Sequence, residues 1–244
     1  MKVLISQQAP TNLAPYETLQ SKFGADIDFH PFFIMEPLSA KEFRAEKINL
    51  PDYTAVVFSS RLAIDAYFKL CEEMRFKVPE TMKYFCSTEA VAMYLQKHIV
   101  YRKRKIFYGT GTPESIVALV GQKHKAEKFL ITAAVGSNVE AITSLFDKAG
   151  LDYTPGTFVK GVSQDLHGID LHNYDVIVLY NPSDVVSLKE NFPDFSQGNI
   201  KFVSFGKSVV KAMEDAGLQI SVKAPTPEAP SAAKAIELCF PQNQ

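Results

Sequence analysis

Small hydroxyl, amide and glycine residues recur just after short apolar runs: Ser6-Gln7, Ser59-Ser60-Arg61, Ser87-Thr88, Thr110-Gly111-Thr112, Asn181-Pro182-Ser183, Gly206-Lys207-Ser208 and Thr226. Such side chains accept hydrogen bonds from the free N–H groups that open a helix. They are also small enough for a carboxylate or phosphate to reach those N–H groups, where the helix dipole adds partial positive charge. Any one of them is most simply a helix cap. As a set at the same kind of turn, they point to binding of an anionic ligand.

Other chemistries find little support. The histidines, His30, His98, His124, His167 and His172, show no HxxxH or HExxH spacing, and Cys71, Cys86 and Cys239 form no CxxC pair. No metal site or disulfide framework is expected; the cysteines read as reduced, packed thiols. Gly109-Thr110-Gly111 is followed by Glu114 where GxGxxG needs glycine, and no GxxxxGK[ST] occurs, so no nucleotide cofactor is expected. Tyr101-Arg102-Lys103-Arg104-Lys105 precedes a strand, which puts it at the amino edge of a sheet, opposite the expected ligand side. With 26 basic and 27 acidic residues, the net charge of −1 gives no reason to expect nucleic acid or an anionic membrane as partner. No apolar run reaches the ~18 residues of a membrane span. The opening Met1–Ser6 reads as a buried strand rather than a signal peptide, so a cytoplasmic protein is expected. No amphipathic surface stripe suggests self-association, and a monomer is expected.

The elements that must position these turns alternate as βα units, the pattern of an α/β protein with parallel sheets. Strands are expected at 2–6, 25–31, 54–58, 83–86, 105–108, 128–132, 175–179, 201–205 and 218–223. Helices are expected at 15–23, 62–74, 89–96, 113–120, 139–149, 183–191, 207–216 and 231–239. Gly24, Gly150 and Gly217 stop three of them, and Thr112 with Pro113 starts one.

An internal repeat organises the elements. Tyr84-Phe85-Cys86-Ser87-Thr88 matches Ser204-Phe205-Gly206-Lys207-Ser208, Val56–Ser60 matches Ile177–Asn181, and Thr112-Pro113-Glu114 recurs as Thr226-Pro227-Glu228. A further match is out of order: Lys128–Thr132 resembles Lys2–Ser6, each followed by a helix ending in glycine and then a strand. The simplest reading is a chain that starts one lobe, builds the other whole and returns. Lobe one is expected at 1–34 plus 164–244 and lobe two at 39–157. Linker strands would run at 33–38 and 158–163, with a ligand cleft between flavodoxin-like lobes.

Val57-Phe58-Ser59-Ser60-Arg61-Leu62-Ala63-Ile64, the turn Phe205-Gly206-Lys207-Ser208 leading to Ala212 and Gly217, and the tail Val222–Glu228 resemble the uroporphyrinogen-III synthase family, in a divergent, Bacteroidetes-like form. The likeness covers nearly the whole chain. The resemblance implies two lobes joined by a two-stranded linker. It also implies cyclisation of hydroxymethylbilane, with inversion of ring D and loss of water, in tetrapyrrole and haem biosynthesis, without metal or cofactor. The implied substrate contacts are Ser59, Ser60, Arg61, Thr88, Thr110, Gly111, Thr112, Asn181, Pro182, Ser183, Gly206, Lys207, Ser208 and Thr226. The chain departs from the family pattern at several places. Val159 stands where the linker usually has a tyrosine resembling a general acid, Glu89 where threonine is frequent, and Asn181 where serine is common; the turn after Thr132 lacks an arginine. Asp184 or Glu89 would repel an anionic substrate if it faced the ligand. Tyr108 or Tyr180, at strand ends, could replace the missing tyrosine. The alternative to an active enzyme is a relative that binds a tetrapyrrole or another anion without turnover.

Overall fold

The computed structural model describes residues 1–241. The chain divides into two compact units. Unit one is Met1–Ile34 together with the chain from Val162 onward, and unit two is Met35–Gly161.

In chain order the elements are β1 (Lys2–Ile5), α1 (Ala14–Phe23), β2 (Asp26–Phe29), β3 (Phe33–Pro37), α2 (Ala40–Phe43), β4 (Ala55–Phe58), α3 (Arg61–Glu73), β5 (Lys83–Cys86), α4 (Glu89–Tyr94), β6 (Ile106–Tyr108), α5 (Pro113–Val120), β7 (Lys128–Ala134), α6 (Glu140–Ala149), β8 (Asp152–Ser163), β9 (Val176–Leu179), α7 (Pro182–Asn191), β10 (Lys201–Phe205), α8 (Lys207–Asp215), β11 (Ile220–Ala224) and α9 (Ala232–Glu237). Gly24 and Gly150 end α1 and α6 in the left-handed conformation that glycine adopts without a Cβ clash.

Three expectations need correcting. The second crossing is not a separate strand, because residues 158–163 complete a twelve-residue β8 that pairs with β7 from Asp152 to Val159. The helix expected at 89–96 tightens to a 3-10 turn at Leu95–Lys97. The stretch before β4 is not plain loop: Ser39 and Glu42 form a reciprocal capping box that starts α2, and 3-10 turns follow at Arg44–Glu46 and Leu50–Asp52. These turns are too short to leave a helical period in the sequence.

Unit one carries the sheet order β11-β10-β9-β1-β2, with parallel neighbours throughout. Unit two carries β3-β8-β7-β4-β5-β6, in which β8 through β6 are parallel neighbours. Spatially, β9, β10, β11, β1 and β2 correspond to β4, β5, β6, β7 and β8. One architecture is cut at two different places in the chain, which is the physical origin of the out-of-order sequence match.

Both sheets are buried on both faces, as parallel sheets with helical crossovers must be. Alternate residues of each strand therefore feed different cores. In unit two, Val56 and Phe58 face the α3 side with Tyr67, Tyr84 and Phe158, while Ala55 and Val57 face Ile116, Phe129 and Phe146. In unit one, Val3 and Ile5 pack with Val178, Ala233 and Ile236, while Leu4 packs with Ile177, Leu188 and Met213. Burying each large side chain stabilises its unit by about 1.5–3 kcal/mol. The placement of the turns at the strand ends rests on these cores.

Candidate functional site

The site is built where strands end and helices begin. In unit two, β4, β5 and β7 deliver their carboxyl ends to a cavity of about 310 Å³, closed by the first turns of α5 and α6. Its floor is apolar, with Val57, Ile116, Ile131 and Ile142. Its rim is polar, with Ser59, Ser87, Thr112, Ser137 and Asn138, and Thr132 lies below them. An apolar floor with a few converging polar groups is the usual make-up of a small-molecule site.

The rim is held by its own hydrogen bonds. Ser87 Oγ donates to the Ser59 carbonyl (3.1 Å), and Gly111 N–H donates to the Ser87 carbonyl (2.8 Å), tying three successive turns together. Gly111 sits at φ +96°, where a side chain would be strained. Thr132 Oγ1 donates to the Val57 carbonyl (2.8 Å) and is buried beneath the rim. Ser60 Oγ accepts from Ala63 N–H (3.1 Å), Thr88 Oγ1 from Val91 N–H (3.4 Å) and Thr112 Oγ1 from Ser115 N–H (3.3 Å). Thr110 N–H donates to Ser115 Oγ (3.0 Å). These hydroxyls are neutral caps, so the partial positive charge persists at the start of α3, while Glu89 and Glu114 in the first turns of α4 and α5 offset it there.

Of the unit-two residues singled out by sequence, Ser59, Ser87, Gly111 and Thr112 line the cavity. Ser60, Arg61, Thr88 and Thr110 lie in the same turns but outside its lining. Sequence reasoning missed Thr132, Ser137 and Asn138. The small polar run Gly136-Ser137-Asn138, following a strand, was the signal available for two of them.

In unit one the corresponding turns are arranged differently. Asp184, in the first turn of α7, is fully buried. One of its oxygens accepts from Tyr180 N–H (2.8 Å), Asn181 N–H (2.9 Å) and Ser6 Oγ (2.8 Å). Burial pushes its carboxyl up from the usual range, against the lowering pull of those three bonds. Its second oxygen has no partner among the described residues. Asp184 therefore staples β1 to the β9–α7 turn and does not present a carboxylate to solvent. Glu89 does remain exposed, and it accepts a hydrogen bond from the Tyr108 hydroxyl (3.3 Å).

Asn181 is the cap residue of α7 and Pro182 its first residue, which leaves Ser183 half-buried in the opening turn. Gly206 caps α8 at φ +128° with no side-chain cap, and Lys207 and Ser208 follow it exposed. Sequence alignment set Ser208 against the cap Thr88, but the structure puts Gly206 in the cap position, because the strand registers place Cys86 level with Ser204 and the cap follows two residues after each. Thr226 starts no helix. Its Oγ1 accepts from Ala229 N–H (3.1 Å) in the turn after β11, and Ser231 caps α9.

The remaining nucleophiles are quiet. Burial pushes the Cys71 and Cys86 thiols up to about 12 and raises Cys239. Val159, the linker residue where the resemblance implies a tyrosine, is buried in the core of unit two. Tyr180 is half-buried, and burial first, then the neighbouring Tyr16, raises its phenol. Among the described residues, no cluster of three or more His, Cys, Asp or Glu side chains could hold a metal ion. Among the same residues, no helix is long and apolar enough to cross a membrane.

A family model described as uroporphyrinogen-III synthase HemD matches residues 14–234. No curated protein matches the chain. The solved structure of uroporphyrinogen-III synthetase from Helicobacter pylori is 14% identical, with 97% of each chain covered and a TM-score of 0.53. A mutant uroporphyrinogen III synthase from Thermus thermophilus is 12% identical over 97% of this chain and 96% of its own, with a TM-score of 0.49. At such identity the Helicobacter structure speaks for a shared fold, and the family match, which spans nearly the whole chain, speaks for descent. The chain belongs to the uroporphyrinogen-III synthase family, whose members act as lyase-type cyclases on hydroxymethylbilane in tetrapyrrole biosynthesis.

Proposed function

We propose that this chain is an active uroporphyrinogen-III synthase that closes hydroxymethylbilane with inversion of ring D and loss of water. The family match across residues 14–234 carries the reading, since it includes the carboxyl-end turns of both units apart from that after β1. The burial of Asp184 supports it, because the carboxylate that would have opposed an anionic substrate is turned inward.

In this reading the substrate carboxylates are received by helix starts and by the exposed cations Arg61 and Lys207, with Ser59, Ser60, Thr88, Asn181, Ser183, Gly206 and Ser208 around them. The apolar floor over Val57, Ile116 and Ile131 suits the flat face of a pyrrole. Holding the bilane with its ends together supplies the orientation that separates the inverted isomer from the product of unguided closure. Departure of hydroxide needs a proton. Tyr108 is the better placed donor, being exposed at the end of β6 with its hydroxyl on Glu89. Partial burial raises the Tyr180 phenol above its ordinary value, which disfavours it as a proton donor. The reading has the protein act as a cytoplasmic monomer, in keeping with its three buried, unpaired cysteines.

The test is a coupled assay in which hydroxymethylbilane is generated in situ and the oxidised porphyrin isomers are separated. Mostly type III porphyrin is expected. Type I porphyrin alone, at the rate without protein, would sink the reading. Tyr108→Phe is expected to slow type III formation more than Tyr180→Phe. The second reading, a binder without turnover, is favoured by one observation: the buried Val159 cannot protonate a leaving group.

A further inference from the structure

Arg61 opens α3 directly after the cap Ser60, at the carboxyl end of β4, and its side chain is exposed. Four residues on, in the same helix, stands Asp65. An arginine and an aspartate at this spacing are close enough to pair across one helical turn. Here they do not. One Asp65 oxygen accepts the Tyr94 hydroxyl (2.8 Å). The other takes Lys97 Nζ (3.3 Å) and lies 2.7 Å from His98 Nε2. Lys97 Nζ also donates to the Tyr94 oxygen (2.9 Å), and the His98 ring stacks on Phe68 at 4.6 Å between centroids. Burial is the largest influence on the Asp65 carboxyl and raises it, yet the bonds from Tyr94, His98 and Lys97 together bring it below the usual range.

With Asp65 occupied, the Arg61 guanidinium rests over the Tyr94 ring, 5.6 Å from its centroid. Among the described residues Arg61 forms no ion pair and no side-chain hydrogen bond. An aromatic face holds a guanidinium by cation–π attraction without using any of its N–H donors. The group is thus kept in place while its hydrogen-bonding fork stays open for a carboxylate.

We propose that Tyr94, backed by Asp65, Lys97 and His98, positions Arg61 as a receptor for one carboxylate of the tetrapyrrole substrate. The proposal rests on the functional reading above for the identity of the ligand. Tyr94 touches Arg61 and not the reacting atoms, so it is a positioning residue, and its loss appears in binding and not in turnover.

The experiment measures KM and kcat for type III formation and, separately, fluorescence titration with uroporphyrin as a polycarboxylate probe. The variants are Tyr94→Leu, Tyr94→Phe, Arg61→Ala and the double variant Tyr94→Leu/Arg61→Ala. Tyr94→Leu is expected to raise KM and the probe Kd by roughly two- to fivefold, the size of one exposed cation–π contact, with kcat within about twofold. Tyr94→Phe keeps the ring but frees Asp65 to capture Arg61, so it is expected to weaken binding as well. Asp65→Asn in the Tyr94→Phe background removes the competing charge and is expected to restore affinity. Adding Tyr94→Leu to Arg61→Ala is expected to change nothing further. If Tyr94→Leu weakens binding equally with and without Arg61, or if the wild-type chain does not bind uroporphyrin, the proposal is overturned. If the wild-type chain yields only type I product yet the double-variant pattern holds in the titration, the positioning role stands and the enzymatic reading alone falls.

Discussion

The two units share one strand order, and a hydroxyl caps both α5 and α9, but the helix starts at the two preceding strand ends are treated differently. In unit two the helices after β4, β5 and β6 are each capped by a hydroxyl: Ser60, Thr88 and Thr112. In unit one the helix after β9 is tied down by the buried carboxyl of Asp184, and the helix after β10 begins at Gly206 with no side-chain cap. The cores differ in the same sense. Unit two centres on a buried aromatic group of Phe43, Phe58, Tyr67, Tyr84 and Phe158, whereas the α9 side of unit one centres on valine, isoleucine and alanine, with most of its aromatic rings only partly buried at its margin. The duplicated architecture fixes where a helix start must lie and leaves open how its N–H groups are satisfied. A hydroxyl cap is locally sufficient, while a buried carboxyl depends on three partners drawn from two segments of the chain.

The largest test of this contrast is truncation of the two devices. Asp184→Ala strands Tyr180 N–H, Asn181 N–H and the Ser6 hydroxyl in a buried site, and is expected to cost roughly 3 kcal/mol. Ser60→Ala removes one exposed cap and is expected to cost about 1 kcal/mol. Equal shifts of the two urea midpoints would break the comparison. Gly206→Ala comes next, since φ +128° strains any side chain; a loss of about 1–3 kcal/mol is expected, against about 1 kcal/mol for Thr88→Ala at the corresponding cap.

The smallest effect concerns pH. The Asp184 carboxyl is raised from 3.8 by burial, so its contribution is fully present below pH 3.8 and is lost as pH rises through the folded-state value. Asp65 runs the other way. Burial would raise it, but the bonds from Tyr94, His98 and Lys97 prevail and lower it from 3.8. Its contribution is present above pH 3.8 and is lost as pH falls through the folded-state value. Acidification is therefore expected to weaken hydrogen-exchange protection around Tyr94 while protecting the amides of α7. Parallel changes in both places would remove the contrast.

Much of the fold was legible because its signals are local. Apolar runs such as Val3–Ile5 and Val176–Leu179 are continuous because both sheet faces are covered, and Gly24 and Gly150 mark helix ends by their backbone conformation. The repeat was legible because matching turns need matching small residues. The length of β8 was not, since a strand that continues past its parallel partner shows no break in its own sequence. Nor was the inward turn of Asp184, which depends on Ser6 lying beside it through the pairing of β1 with β9. The link from Arg61 to Tyr94 was hidden for the same reason, because it joins two helices whose packing no helical period records.

The interrupted path of unit one has a consequence during synthesis. Unit two occupies one unbroken stretch, Met35–Gly161, and its strands find their partners as they leave the ribosome. Val3, Leu4 and Ile5 of β1 are wholly buried in the finished protein, but their neighbour on one side begins only at Val176. At ~5–20 residues per second, that apolar strand and its mate β2 wait on the order of 10 to 30 s for the rest of their sheet. The nascent chain thus carries an open, aggregation-prone strand edge for most of its translation, while a completed unit stands downstream of it.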